Sequence, residues 1–179
     1  QEAREHVRLF ELKWLDADVG ETPFRGHSYA YQPWRERGIE TPELIFNDHP
    51  MVVARWPNEG FSRFPRIIEP GARPRDGANP SEEDYRLPVL GYQSAQPNRW
   101  ASAPDAWVHG YWGNEWSDQS MQIKSVSPEN RSIQLAQAST YGIKNNHRYF
   151  VFNLLEELDQ PGEWYLDREQ KILYFYPPA

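Results

Sequence analysis

The chain contains no cysteine among its 179 residues. It therefore has no disulfide framework, no thiolate nucleophile and no cysteine-based metal site. Basic residues are also few, because 19 Lys and Arg stand against 26 Asp and Glu and leave a formal net charge of −7. Nucleic-acid-binding domains usually carry a basic stripe, so this balance argues against a nucleic acid partner. It argues equally against an anionic membrane surface.

Long apolar runs and common enzyme motifs are missing as well. No hydrophobic stretch approaches the roughly 18 residues that a bilayer span requires, so we expect no membrane partner. The sequence has no G-x-S-x-G nucleophile motif, no glycine-rich phosphate loop and no dinucleotide fingerprint. Its five histidines lack the i, i+4 and H-x-H spacings of a metal-binding face, and His109 is interpreted as a packed histidine. We therefore predict neither a metal nor a cofactor.

Aromatic side chains, in contrast, are plentiful: they make up 15% of the chain and include eight Trp. Large aromatic rings bury much area each, so they help to build a core in a single domain of this length. A second interpretation is that exposed Trp rings form a surface on which sugars stack. The sequence leaves both interpretations open, and the solvent exposure of the Trp rings distinguishes them.

The segment from Ala106 to Leu135 carries the clearest pattern. Apolar and polar side chains alternate along residues 121–124 and again along residues 132–135, which predicts two strands with one buried face each. Pro128 fits the first central position of a type I turn between them, and Asn130 tolerates the left-handed backbone that closes it. We therefore predict a β-hairpin at the centre of an all-β domain.

Two further hairpins are predicted elsewhere. One covers Glu43 to Arg55 and turns at Asn47 and Asp48, two residues that accept positive φ at low cost. The other runs from Glu163 to Tyr176 and is apolar at nearly every strand position. Such strands are buried on both faces, or buried on one face and covered by another domain on the other.

Three other segments complete the prediction. Val7 to Lys13 is a first strand. Asn153 to Leu158 is a short helix, with Asn153 as its N-cap and acidic residues at the positive end of the helix dipole. The segment 57–104 holds eight of the sixteen prolines, which disfavours long central strands and indicates a long Pro-rich excursion with short edge strands. Together these patterns predict an all-β fold in one domain over residues 1–179, a β-barrel or β-sandwich built from hairpins with one short α-helix.

The best candidate site lies in the aromatic run before the central hairpin. Glu115 and Asp118 flank a Trp there, and a pair of carboxylates is what glycoside hydrolysis requires, although both also suit a solvated turn. The sequence shows no catalytic set beyond this pair, so we assign no catalytic residue. The candidate carbohydrate contacts are six residues: Trp107, Tyr111, Trp112, Glu115, Trp116 and Asp118.

Three blocks of the sequence resemble a known group of proteins. They are E-L-I-F-N-D-H-P-M-V-V-A-R-W-P-N-E-G-F (Glu43 to Phe61), A-W-V-H-G-Y-W-G-N-E-W-S-D (Ala106 to Asp118) and the block from Tyr149 to Pro178, which reads N-L-L-E-E-L-D-Q-P-G-E-W-Y-L-D near its centre. The pattern is similar to the β-rich insertion domain of right-handed parallel β-helix proteins that act on polysaccharides, the family-141 glycoside hydrolases and their relatives. The third block is the most specific.

The resemblance implies a β-rich domain that emerges from a bacterial β-helix and lacks the active-site carboxylates, which are expected on the β-helix itself. The implied partners are the β-helix part of the parent chain and a poly- or oligosaccharide, and the implied location is secreted or periplasmic. The chain starts at Gln1 and stops after a strong strand, so we expect a fragment of a longer protein. Two alternatives stay open: a purely structural brace of the β-helix, and a self-contained glycoside hydrolase that uses Glu115 and Asp118.

Overall fold

The computed structural model of the protein describes residues 5–11, 42–79, 82 and 85–178. Within these residues, β-strands and short 3-10 helices make up the regular structure. The strands are β1 Arg8–Glu11, β2 Ile45–Phe46, β3 His49–Pro50, β4 Val52–Val53, β5 Arg55–Trp56, β6 Ser62–Arg63, β7 Arg66–Glu69, β8 Val89–Gly91, β9 Trp107–Asn114, β10 Ser117–Ser127, β11 Ser132–Leu135, β12 Arg148–Phe152, β13 Glu163–Asp167 and β14 Ile172–Phe175. The 3-10 helices are Pro74–Asp76, Gln96–Trp100 and Leu155–Glu157.

Two sheets form the body of the described structure. The larger sheet has eight strands in the order β5-β12-β9-β10-β11-β8-β7, with β6 also paired to β12. The smaller sheet has the order β1-β14-β13-β4, and β2 and β3 form a separate small hairpin. The predicted all-β class is confirmed in its sandwich form, because the described strands do not close into a barrel.

The larger sheet bends around the main hydrophobic core. Strand β10 is long enough to pair with β9 through its first half and with β11 through its second half, and the register shifts once in each pairing. Such bulges bend a strand and turn a flat sheet into two facing halves. The core between the halves includes Trp112, Met121, Leu135 and Val151.

A second core joins the two sheets. Trp107 and Phe152 point from the larger sheet to Trp164, Leu166 and Phe175 of the smaller one. Successive residues of β9 therefore point to opposite faces of the larger sheet, and both faces carry large rings. A third cluster, around Tyr165, covers the other face of β13. Strand β13 is thus buried on both faces, which confirms the prediction from its continuous apolar sequence.

Two of the three predicted hairpins are confirmed in full, and the one over Glu43–Arg55 is confirmed only between Ile45 and Pro50, because Val52–Val53 pairs with β13 and Arg55–Trp56 with β12. Strands β10 and β11 pair up to Ser127 and Ser132, and β13 pairs with β14. The β2–β3 turn places Asn47 and Asp48 at φ values of 49° and 62°, as their side chains predict. In the β10–β11 turn, however, the positive φ falls on Arg131 rather than on the predicted Asn130.

The predicted α-helix over Asn153–Leu158 is wrong. Only Leu155–Glu157 is helical, as a 3-10 turn, and Asn153 has a φ of 58° and donates its side-chain amide to the Asp105 backbone at 2.9 Å instead of capping the helix. The reason is packing: Leu154 belongs to the main core and Leu158 to the cluster around Tyr165. Residues four apart on one helix share a face, so a continuous helix does not serve both cores.

The Pro-rich segment 57–104 contributes strands and core residues in its described part. Strand β7 is an edge of the larger sheet, as expected, whereas β8 lies between β11 and β7. Trp100 is fully buried and donates its indole N–H to a carboxylate oxygen of Glu157 at 2.6 Å. Gln96 donates to the same carboxylate at 2.6 and 2.8 Å. Burial raises the pKa of Glu157, and these donors partly offset that effect. The predicted strand beyond Glu11 lies outside the described residues.

A second buried carboxylate, that of Glu163, makes the stability of the fold depend on pH. Its Oε2 accepts the backbone N–H groups of Asp159 and Gln160, each at 3.0 Å. Burial nevertheless raises the pKa of Glu163 from 4.5 to about 6. Between pH 4.5 and about 6, the native state therefore binds more protons than the unfolded state. The stabilisation from this group is complete below pH 4.5 and is lost as the pH rises through about 6.

We expect Glu163→Gln to flatten this pH dependence, because the neutral amide keeps an acceptor oxygen and carries no buried charge. The expected change in slope corresponds to on the order of 1 kcal/mol between pH 4.5 and 6.5. Urea unfolding at four pH values measures it. Glu169→Gln, in the exposed β13–β14 turn, is the matched control and should leave the profile unchanged. An unchanged slope in Glu163→Gln would contradict the assignment.

Candidate functional site

The face of the larger sheet that packs in part against the smaller sheet also carries a group of rings and charged side chains, some of them exposed. Strand alternation places Val108 and Trp112 of β9 in the main core, so His109 and Tyr111 point to the opposite face. Strand β12 lies beside β9, and its alternate residues join the same face. We call this surface the outer patch; its residues are Arg55, Phe61, His109, Tyr111, Glu115, Asp118, Arg148 and Phe150.

The aromatic rings of the outer patch form one continuous group. Phe61 lies 5.9 Å from Tyr111 and 5.7 Å from Phe150, measured between ring centroids. The His109 ring lies 5.0 Å from Phe150 and 6.1 Å from Tyr111. The Phe61 side chain is 42% exposed, whereas Phe150 is partly buried against the core between the sheets. An exposed ring supported by buried rings is a rigid apolar surface that water contacts on one side.

Two guanidinium groups lie on these rings. The Cζ of Arg148 is 3.9 Å from the centroid of the Tyr111 ring, and the Cζ of Arg55 is 3.9 Å from that of Phe150. A guanidinium over a ring face gains cation–π attraction and loses side-chain freedom. The outer patch therefore presents flat apolar and flat cationic groups in fixed positions.

The two carboxylates proposed from the sequence have different surroundings. Glu115 is an exposed residue in the β9–β10 turn, and its carboxylate is 3.0 Å from Nε of Arg148 and 3.5 Å from Nδ1 of His147. Asp118 is partly buried, and its Oδ2 is 3.5 Å from Nε2 of His109. The structure thus places both residues at the outer patch, each against a different basic side chain.

Each of the two ring nitrogens of His109 lies beside a polar side chain. Nδ1 lies 3.0 Å from Oγ of Ser120, and Nε2 faces Asp118. Burial lowers the pKa of His109, although the Asp118 charge raises it, so the neutral ring is favoured at neutral pH. The serine hydroxyl is buried in the sheet, out of reach of a substrate. The Ser120–His109–Asp118 contacts therefore orient the histidine within the patch, in agreement with its prediction as a packed residue.

The three Trp residues proposed as sugar contacts lie in different environments. Trp112 is 1% exposed and stacks against Phe64 in the main core, so no face of its ring is open to a sugar. Trp107 is partly buried between the sheets and donates its indole N–H to Asp105 at 2.9 Å. Trp116 is 61% exposed in the β9–β10 turn, with an edge contact to Tyr141. Of the four aromatic rings predicted to contact a sugar, only those of Trp116 and Tyr111 remain accessible to one.

Five residues of the outer patch were not proposed from the sequence as contacts: Arg55, Phe61, His109, Arg148 and Phe150. Apart from His109 on β9, they reach the patch because β12 pairs with β9, with β5 and with β6, the strand that follows Phe61. Alternation along R-Y-F-V-F (Arg148–Phe152) does show that 148 and 150 share one face, but nothing local indicates that this face lies beside Tyr111. The described residues contain no group of three His, Asp or Glu side chains that could hold a metal ion. No helix in this part of the chain is long and apolar enough to cross a membrane.

The fold and the patch define an all-β sandwich with an aromatic and ionic surface on one sheet. No family model matches the chain, and no curated protein matches it. One similar solved structure is that of a protein named "Glycoside hydrolase"; it shares 18% sequence identity with this chain at a TM-score of 0.47. The similarity covers 79% of this chain and 25% of that protein. The chain thus spans about a quarter of that neighbour, and so distant a likeness transfers neither its activity nor its substrate.

Proposed function

We propose that this chain is a non-catalytic, glycan-contacting β-sandwich module of a larger polysaccharide-acting protein. The observation that supports glycan contact is the outer patch, where the exposed Phe61 ring lies beside hydrogen-bonding groups of Tyr111 and Arg148. Sugars offer an apolar ring face together with a rim of hydroxyl groups, and this patch complements both. The larger parent protein is proposed from the resemblance of the three sequence blocks.

The test is a set of binding titrations by isothermal calorimetry against plant and algal oligosaccharides. Removing the exposed ring in Phe61→Ala should weaken binding about five- to tenfold, because burying a partly exposed Phe against a sugar contributes on the order of 1 kcal/mol. Phe10→Ala is the matched control: this ring is similarly exposed, but it lies on β1 of the smaller sheet. It should bind as tightly as the unchanged protein.

Other outcomes would replace the proposal. If no oligosaccharide binds, a structural brace is the better explanation of the fold. If the isolated chain hydrolyses a glycan and Glu115→Gln abolishes that activity, the chain is an enzyme that uses this carboxylate. Equal losses in Phe61→Ala and Phe10→Ala would show that the contact surface is not the outer patch.

A further inference from the structure

Arg148 is held in a fixed orientation at the centre of the outer patch. Its guanidinium lies flat over Tyr111, at 3.9 Å from the ring centroid, and 5.2 Å from that of Phe61. Its side chain is about one-third exposed, so solvent reaches the group while the rings support it. A planar, supported guanidinium is well suited to bind a carboxylate through two parallel hydrogen bonds.

The hydrogen bonds of the two stacked arginines differ. Arg55 donates from Nε to the carbonyl of Pro57 at 2.9 Å and from Nη2 to that of Gly60 at 2.5 Å. These donors are therefore used to fix the loop that follows β5. Among the contacts of the described residues, Arg148 has Nε beside Glu115 at 3.0 Å, and no hydrogen bond involves its two Nη groups. Arg148 is therefore the arginine with donors available for a ligand.

Glu115 pairs with Arg148 at the place where the carboxylate of a ligand would bind. It is 58% exposed and lies in a turn, so its ion pair with Arg148 is weak. A sugar hydroxyl that displaced it would exchange an ion pair with the guanidinium for a contact with a neutral group. A carboxylate from the ligand would replace it without this loss.

We infer that the outer patch binds an acidic glycan, with Arg148 pairing with a uronate carboxylate, Phe61 contacting the same chain and Glu115 displaced. This inference rests on the proposed glycan-contact function and names its ligand class. It assigns opposite effects to two adjacent side chains: Arg148 favours the acidic ligand, and Glu115 competes with it.

The experiment compares matched ligands by isothermal calorimetry. The probes are oligogalacturonate, oligomannuronate and glucuronoxylan oligosaccharides, each as the uronate and as its carboxyl-reduced neutral counterpart. We expect at least one uronate to bind about tenfold or more tightly than its neutral form, which corresponds to about 1.4 kcal/mol. Arg148→Gln should abolish that preference, and Glu115→Gln should increase affinity for the uronate severalfold without changing that for the neutral form.

The outcomes separate this inference from the proposed function. Equal binding of both forms overturns the acidic-glycan inference and leaves glycan contact standing. Absence of binding to every probe overturns both. Arg148→Lys, which keeps the charge and loses the planar fork, should recover only part of the preference. Because Glu115→Gln removes no buried group, its gain in affinity remains measurable even if Arg148→Gln fails to fold.

Discussion

Replacing Asp105 with alanine is expected to lower the free energy of unfolding by about 3–5 kcal/mol. Asp105 precedes β9, and Arg168 lies in the β13–β14 turn of the other sheet. Their side chains form a two-pronged ion pair, with Nε–Oδ2 and Nη2–Oδ1 distances of 2.5 and 2.6 Å, and both side chains are less than one-fifth exposed. The pair therefore joins the two sheets at a site that is largely shielded from solvent.

The cost is large because Asp105 serves several donors at once. Trp107 and Gln122 donate to Oδ1 at 2.9 and 3.3 Å, and the Asn153 amide lies 3.2 Å from Oδ2. Alanine leaves these donors and the Arg168 guanidinium without their carboxylate. An unsatisfied buried donor costs about 1–3 kcal/mol, and a charged group costs more.

Urea unfolding followed by circular dichroism measures the effect. The control is Asp76→Ala, which removes the exposed Arg73–Asp76 pair at 3.1 Å and should cost less than about 1 kcal/mol. A loss below about 1 kcal/mol in Asp105→Ala would show that this carboxylate contributes little to holding the two sheets together. The double variant with Arg168→Met should lose less than the sum of the single changes, since the pair acts as one unit.

The accuracy of the sequence-based prediction depends on how local the determining contacts are. The β10–β11 hairpin follows from alternation, the β13–β14 hairpin from its continuous apolar strands, and the β2–β3 turn from Asn47 and Asp48, signals that act within a few positions. The helix prediction failed because Leu154 and Leu158 serve different cores, and no local pattern shows that. Tertiary packing outweighs the capping signal at Asn153 and the acidic residues that favour the start of a helix.

The candidate site was predicted in part for the same reason. Tyr111, Glu115 and Asp118 lie close in sequence and reach the outer patch together. Phe61 and Arg148 arrive there through pairing of β12 with β9 and β6, across long sequence separations. Composition alone treats all Trp alike, whereas position on β9 decides their burial: alternation sends Trp112 into the core, and the turn leaves Trp116 in solvent.

Trp112→Ala is expected to cost about 3–5 kcal/mol, whereas Trp116→Ala should change stability by less than about 0.5 kcal/mol. The Trp112 ring fills the main core and donates its indole N–H to the Gln119 carbonyl at 2.8 Å. Gly110 leaves room for this ring, because a Cβ there would lie 2.8 Å from it. Truncation therefore creates a large cavity and removes this hydrogen bond. Trp116 has one edge contact to lose.

The comparison of these two variants decides between the two interpretations of the Trp-rich run. Urea unfolding by circular dichroism gives both free energies, and oligosaccharide titration of the folded Trp116→Ala protein gives its affinity. A stable Trp116→Ala protein with weakened glycan binding would extend the contact surface from the outer patch to the β9–β10 turn. A small loss of stability in Trp112→Ala would contradict its place in the core and return this ring to the possible ligand contacts.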